Sequence, residues 1–218
     1  MSGVGVVWQF CRYWEQTMGM LSITDEFLDL VALGLMADMM SLKSIETKHL
    51  ITKGFKTENI HNPFIYHMAE KNKFSLGPHI TPMGAAFYIA PFVNAMVRSG
   101  EIEEKELLFQ SMLEWLANTD VPSEKRGHKP GEMAKLVTEA IRVATNVKNR
   151  QTRAQDAGVD ALEKMIKEKD MLKHKALVFL IDDDKKIDAE IRGLAANKFM
   201  AKYQKPCCIL TKTKVMEQ

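Results

Sequence analysis

Cysteine is scarce in this sequence: there are three in 218 residues, and two of them, Cys207 and Cys208, are adjacent. This spacing offers neither a disulfide framework nor the separated ligand pairs of a zinc site, and it favours a reducing, cytoplasmic location. Long hydrophobic runs are also absent, and no basic region followed by a long apolar core opens the chain. We therefore expect neither secretion nor a membrane partner.

A strong charge of one sign, histidine pairs and internal repeats are missing as well. The formal net charge of +2 indicates no nucleic-acid partner by itself, because phosphate is attracted by local basic patches. The six histidines form no His-His pair and no Asp-His-His string. The chain does have a 46% hydrophobic fraction, which is ample for a packed globular core.

The first 117 residues have mainly helical periodicity. Thr24 or Asp25 is predicted to cap a helix whose apolar stripe ends near Asp38. The segment 4–18 predicts an earlier helix with an apolar face of Val4, Val7, Trp8, Cys11 and Trp14. Further predictions are a helix at 44–54, an irregular segment at 61–86, helices at 91–99 and 101–117, and an exposed connection at 118–132.

The second half of the chain predicts a long helix, after which the spacing of apolar residues changes. Residues 132–171 are helical in character, and a continuous helix of that length would span about 60 Å as a strut between domains. The segments "KALVFLI", "DAEIRGLAANKFMAKY" and "PCCILTK" then predict strand, helix and strand. This order is a βαβ unit, which implies a parallel sheet with a right-handed crossover.

The segment "IAPFVNAMVRSG" combines an apolar helix with two polar residues, Asn94 and Arg98. Their spacing of four residues puts both side chains on one face, one turn apart. The pair could be the solvated edge of an amphipathic helix. It could equally form an anion site, because arginine binds phosphate in a bidentate manner and asparagine can donate a hydrogen bond beside it.

Five segments occur in a fixed order: "SGVGVVWQF", "LVALGLMADMMSL", "IAPFVNAMVRSG", "NRQTR" and "IRGLAANKFMAKYQKPCCIL". In order and spacing they resemble the RecJ-like single-stranded-DNA exonucleases of the DHH phosphoesterase superfamily, with a divergence similar to that of phage-borne members. The family's corresponding segments are a Gly-rich helix start, "GT-x-AD-x-x-PL", "GPR-x-NAAGR", an Asn-Gln-x-Arg-like cluster on a connecting helix, and a βαβ segment with "RP".

The resemblance implies an α/β fold class in three parts. Residues 1–130 would be the mainly helical C-terminal part of a DHH-type phosphoesterase domain. Residues 131–172 would form a long connecting helix, and residues 173–218 would form the βαβ unit of a partial DHH-associated domain.

The same resemblance implies roles for individual residues. Asp38 matches an aspartate that ligates Mn²⁺ or Mg²⁺, cations that prefer carboxylate oxygen. Asn94 and Arg98 match catalytic positions that are implied to hold the scissile phosphate or to support the metal site. Without the resemblance, Asp38 would be interpreted as an ordinary helix-terminal or salt-bridged carboxylate.

A basic cluster on the long helix is a second candidate, for nucleic-acid binding. Lys148, Arg150 and Arg153, with Asn149 among them, could follow the DNA backbone. An ordinary solvated helix face is an equally good interpretation of this cluster.

The departures from the family pattern affect the expected chemistry. Phe92 replaces the arginine of "GPR", Val97 replaces the glycine before the final arginine, and Lys205 replaces the arginine of "RP", while Gly193 is matched. The superfamily's first three motifs, including Asp-His-His, should precede "SGVGV", and this chain seen alone begins in the middle of that pattern. A metal centre is therefore expected only if another chain supplies those motifs.

Three functional hypotheses follow. The first is a fragment or subunit of a RecJ-like single-stranded-DNA exonuclease, inactive alone, whose partners are single-stranded DNA and a separate chain with the Asp-His-His motifs. The second is a catalytically inactive accessory or single-stranded-DNA-binding protein. The third is a relative that acts on short oligonucleotides or cyclic dinucleotides.

Overall fold

A computed structural model describes residues 2–125, 127, 131–181, 187 and 189–211. The chain divides into two compact units, Met1–Lys148 and Asn149–Gln218, and each has its own hydrophobic core. No helix within the described ranges has both the length and the apolarity needed to cross a bilayer. The division into 1–130, 131–172 and 173–218 stays a prediction.

The first unit is mainly helical, and polar side chains mark where several of its helices begin. The side chains of Ser2, Ser44, Asn62 and Thr81 accept hydrogen bonds from backbone N–H groups of the following first turn. The helices are α1 (Gly3–Met18), α2 (Leu28–Ala37), α3 (Ile45–Gly54), α4 (Pro63–Lys71), α5 (Lys73–Leu76), α6 (Pro82–Tyr88), α7 (Ala90–Ser99), α8 (Ile102–Ser111) and α9 (Glu114–Ala117).

The centre of the first unit is α2, which is apolar on almost every side. Its residues Leu28, Val31 and Leu35 are buried, as expected for a helix inside a core. At the end of α3, Gly54 approaches α2 so closely that a Cβ there would lie 2.2 Å from the carbonyl oxygen of Leu28. Only glycine permits this contact, because the obstructing atom belongs to the backbone.

The predicted cap of the second helix is wrong. Thr24 and Asp25 lie inside a short 3₁₀ helix, Thr24–Phe27, that precedes α2. The N-cap position of α2 is Phe27, which makes no side-chain capping bond. The 3₁₀ turn takes up the polar residues and leaves α2 almost wholly apolar.

The prediction of an irregular segment at 61–86 is also wrong, because the segment contains α4, α5 and α6. Pro63 and Pro82 begin α4 and α6. At the first helical position proline lacks an N–H group that would be unpaired in any case, and its fixed φ suits a helix. The pairs Asn62-Pro63 and Thr81-Pro82 are therefore helix starts rather than turns.

A short hairpin and a long helix follow. Strand β1 (Asp120–Pro122) lies within the predicted exposed connection and pairs in antiparallel fashion with β2 (Met133–Lys135), which lies just after that connection, in a segment predicted to be helical. Helix α10 (Leu136–Glu168) then continues for 33 residues, about 50 Å at about 1.5 Å per residue. The prediction of a long uninterrupted helix is thereby confirmed, with somewhat shorter bounds.

The second unit contains the predicted βαβ motif. Strand β3 (Leu177–Ile181), helix α11 (Ala189–Tyr203) and strand β4 (Cys207–Thr211) follow one another, and the strands are parallel, with Leu177 opposite Cys207. Alternate residues of β3 are buried together with Phe199 of α11 and with Leu162 of α10. The predicted fold class is thus confirmed at a coarse level: the chain is mostly helical, with a long helix and small sheets.

Candidate functional site

Asp38 lies directly after the last turn of α2, in a well-defined helix terminus. The N–H of Met40 donates to the carbonyl oxygen of Leu35, and the N–H of Met39 donates to that of Met36, both at about 3 Å. This is a Schellman motif, in which the residue after the cap is left-handed and usually glycine. Here that residue is Met39, with a φ of 51°. The turn is thus held in a mildly strained conformation immediately beside Asp38.

The electrostatic position of Asp38 is unfavourable for a plain structural carboxylate. The carboxyl end of a helix carries partial negative charge, so an anion there costs about 0.3–1 kcal/mol. The Asp38 side chain is exposed, and the described part of the chain provides no hydrogen-bond or ion-pair partner for its carboxylate. The carboxylate and the last carbonyl groups of α2 together make this end of the helix attractive to a cation.

Asn94 connects α7 to this same end of α2. Its side-chain nitrogen Nδ2 donates to the carbonyl oxygen of Ala37 over 3.3 Å, and Ala37 is the residue before Asp38. Asn94 is half-buried, and its neighbours Phe92 and Val93 pack against the hydrophobic core of the first unit. The structure therefore places Asn94 beside the backbone of the residue that precedes the predicted metal ligand.

Arg98 lies one turn further along α7, on the same face as Asn94. Its side chain is exposed, and it has no hydrogen-bond or ion-pair partner among the described residues. As a cation in the last turn of α7 it interacts favourably with the helix dipole, which accounts for its presence in structural terms. It also leaves a full set of guanidinium donors available to an anion.

The residues near Asp38 do not by themselves fit a Mn²⁺ or Mg²⁺ centre. Such cations require about six oxygen ligands, usually from carboxylates together with water or phosphate. No group of three or more His, Cys, Asp or Glu side chains within the described ranges could hold a metal ion. Asp38 could contribute one ligand, and the others would have to come from elsewhere.

The predicted DNA-binding cluster lies on α10, but its members differ in exposure. Arg150 and Arg153 are exposed and three residues apart, so they share a helix face, whereas Lys148 is partly buried. The Nε group of Arg153 donates to the carbonyl oxygen of Asn149 over 3.3 Å. Two adjacent guanidinium groups thus remain a candidate phosphate contact.

Asp29 is a buried acid that the sequence analysis missed. Its carboxylate accepts hydrogen bonds from the N–H groups of Leu30, His61 and Asn62 at 2.6–2.9 Å. Burial raises the pKa of Asp29, and these backbone donors partly oppose the rise. Since the bonds tie α2 to the start of α4, the residue positions helices rather than ligands. An acid between leucines in an otherwise apolar helix, "FLDLVAL", is the signal that could have revealed it.

Two curated proteins are similar to this chain along nearly its whole length. The chain is 29% identical over 206 residues to a protein of Bacillus subtilis (strain 168) named as the SPbeta prophage-derived single-strand DNA-specific exonuclease YorK. A Bacillus phage SPbeta protein of the same description matches equally well. The resemblance to RecJ-like exonucleases is confirmed. No family model matches the chain.

The RecJ-like relatives are much longer than this chain. The match covers 94% of the present sequence but 34% of each YorK protein, so the chain spans about a third of the length of the curated relatives it matches. The larger remainder of those relatives has no counterpart among these 218 residues.

Solved RecJ structures share the fold. The chain matches a crystal structure of exonuclease RecJ bound to manganese with a TM-score of 0.61 at 19% identity, over 90% of this chain and 43% of that one. RecJ from Thermus thermophilus, in complex with Mg²⁺ or Mn²⁺, gives TM-scores of 0.61 and 0.62 at 19% and 20% identity. These matches again cover 90% of this chain, and 27% and 26% of the two RecJ chains.

Proposed function

We propose that this chain is one component of a RecJ-like single-stranded-DNA exonuclease and that it is inactive alone. In this proposal Asp38, Asn94 and Arg98 form one side of a composite phosphodiesterase site. Polypeptide outside these 218 residues, with the Asp-His-His motifs, provides the other side and most of the metal ligands. The proposal extends to this chain the activity for which the YorK proteins are named.

The observation that carries the proposal is the hydrogen bond from Asn94 to the carbonyl oxygen of Ala37. It joins the face of α7 that presents Arg98 to the end of α2 that presents Asp38. The guanidinium of Arg98 is always charged and suits a phosphate group, whereas the carboxylate of Asp38 suits a cation. Both side chains lie near the ends of neighbouring helices.

The roles of these side chains follow from their chemistry. Arg98 would bind a non-bridging oxygen of the scissile phosphate and orient it, and Asn94 would fix α7 against α2. Asp38 would contribute one oxygen ligand toward the partner's metal centre. The unfavourable charge at the end of α2 supports a role for Asp38 outside folding, because an uncharged residue would suit that position better.

The test is reconstitution with a partner that is already known in sequence. The part of the phage SPbeta YorK protein outside the segment aligned with this chain is produced separately and mixed with it in the presence of Mn²⁺. We expect degradation of 5′- or 3′-labelled single-stranded DNA by the mixture and by neither component alone. Asp38→Asn and Arg98→Gln should each lower the rate at least a hundredfold.

Matched variants control for nonspecific loss of charge. Asp160→Asn and Lys105→Gln remove exposed charges far from α2 in sequence, and both mixtures should keep wild-type rates. Turnover by the isolated 218-residue chain would contradict the proposed division of the site. Equal rates for Asp38→Asn and the wild type would contradict the role given to that carboxylate.

The second candidate is single-stranded-DNA binding without hydrolysis, which the shared exposed face of Arg150 and Arg153 favours. Binding by the isolated chain should then weaken steeply with salt, since each neutralised phosphate releases counterions. The double variant Arg150→Gln/Arg153→Gln should reduce the salt dependence. Salt-sensitive binding combined with the absence of hydrolysis by every mixture would support this second function over the first.

A further inference from the structure

Helix α1 has an apolar face that points away from the rest of the first unit. Gly5, Trp8 and Glu15 are its buried residues. The exposed large side chains recur at spacings of three and four residues, so they form one continuous stripe along the opposite side. These side chains are Val6, Val7, Phe10, Tyr13, Trp14 and Met18, each at least half exposed.

The stripe borders a groove between α1 and the segment that leads into α2. The groove has a volume of about 690 Å³, and its lining is almost wholly apolar. Trp14 and Phe10 form one wall, and Met20, Ile23 and Phe27, all more than half exposed, form the other. Cys11 lies between these walls and is partly exposed.

The walls of this groove are fixed in place. The carboxylate of Glu15 accepts hydrogen bonds from the N–H groups of Ile23 and Thr24 at 3.0 and 2.9 Å. The indole N–H of Trp8 donates to the carbonyl oxygen of Thr24 over 3.1 Å. The groove is therefore preformed, and an occupant would not have to order it.

An exposed apolar surface of this extent marks an interaction site, and a helix that is apolar on both sides is normally buried on both sides. The sequence comparison supplies a candidate for the occupant. The match covers 94% of this chain but only 34% of each relative, so most of the relatives' fold consists of polypeptide with no counterpart here. A preformed apolar groove suits a piece of such a fold.

We propose that the groove between α1 and the Met20–Phe27 segment is the docking surface for the polypeptide that holds the remainder of the RecJ-like fold. The proposal rests on the proposed function for the identity of that polypeptide. The occupant would insert apolar side chains between Trp14 and Phe27, and Phe10 and Trp14 would contribute most to the affinity, as buried aromatic residues commonly do.

Cys11 provides a direct readout of whether the groove is filled. The isolated chain is labelled with N-ethylmaleimide, and the modification of each cysteine is followed by peptide mass spectrometry. The labelling is then repeated with an excess of the SPbeta YorK polypeptide that lacks the aligned segment. We expect the labelling of Cys11 to slow at least tenfold in the mixture, while the exposed Cys208 of β4 serves as the internal control and is unchanged.

Paired variants locate the contact. Phe10→Glu and Trp14→Glu should abolish the protection of Cys11. Phe109→Glu and Trp115→Glu change the same residue types, at similar or greater exposure, on α8 and α9, and they should leave it intact. The two parts are also tested as a chimaera, in which this chain replaces the aligned segment of the YorK protein. Because the parts are then covalently joined, the test does not depend on their affinity in the mixture.

Each outcome decides the proposal. Unchanged labelling of Cys11 in both the mixture and a chimaera with a cooperative unfolding transition would overturn it. Protection in the isolated chain that is lost on dilution, together with a dimeric mass, would identify a second copy as the occupant and would also overturn it. Protection of Cys11 without degradation of DNA would support the docking surface and contradict the proposed exonuclease function, because this readout requires neither DNA nor metal.

Discussion

Asn94 of α7 donates a hydrogen bond to the carbonyl oxygen of Ala37, the last residue of α2, across 57 positions of sequence. The acceptor is one of the four carbonyl groups that every helix leaves unpaired at its carboxyl end. The contact therefore satisfies a backbone group of α2 and at the same time sets the position of α7 beside Asp38.

Loss of this hydrogen bond should have a modest cost in stability. We expect Asn94→Ala to lower the free energy of unfolding by about 0.5–1.5 kcal/mol, the usual net value of one hydrogen bond. Asn94→Asp should cost more, because a carboxylate would face a carbonyl oxygen at the negative end of a helix. Urea denaturation followed by tryptophan fluorescence measures both. Asn146→Ala, at an exposed position of α10, is the control, and an equal effect there would contradict the assignment.

Substitution of Asp38 should raise the stability of the fold, whereas substitution of Asn94 should lower it. Since its carboxylate lies at the carboxyl end of α2 without a partner among the described residues, Asp38→Asn should raise the free energy of unfolding by about 0.3–1 kcal/mol. The gain should shrink in high salt, which screens the interaction with the helix dipole. A loss of stability in thermal or urea unfolding would indicate that the carboxylate has a structural partner and would weaken its proposed functional role.

The sequence predicted the elements whose signals are local. The strand, helix and strand of the second unit are predictable because the short, uninterrupted apolar run "LVFLI" contrasts with the helical period that follows it. The prediction fails for α4 to α6 because proline is also typical of irregular segments, and only the capping residue before Pro63 and before Pro82 marks a helix start. The contact between Asn94 and Ala37 depends on tertiary packing, and no pattern within either segment specifies it.

Two glycines should respond in opposite ways to a single added methyl group. Gly54→Ala should lower the free energy of unfolding by about 1–3 kcal/mol, because the new Cβ would meet the backbone of Leu28 and force α2 and α3 apart. Gly193→Ala in α11 meets no atom within 4 Å and should stabilise by about 0.4–1 kcal/mol through the unfolded state. Urea unfolding followed by circular dichroism tests both, and a destabilising Gly193→Ala would contradict the second expectation.

Glu15 should make part of the stability depend on pH. Hydrogen bonding from Thr24 chiefly, together with Ile23 and Ser22, holds the pKa of Glu15 below its ordinary value of 4.5. A carboxyl group with a lowered pKa in the folded state stabilises the fold fully above its ordinary pKa, and this contribution is lost as the pH falls through the folded value. Other carboxyl groups titrate in the same range, so the informative quantity is the difference between wild type and Glu15→Gln.

We expect this difference in the free energy of unfolding to be constant from pH 8 to about pH 5.5 and to diminish progressively below pH 4.5. Because Glu15 also holds the wall of the apolar groove through Ile23 and Thr24, the labelling of Cys11 should change over the same acidic range once corrected for the reactivity of Cys208. A difference that grows on acidification would show that the donors around Glu15 favour its protonated form.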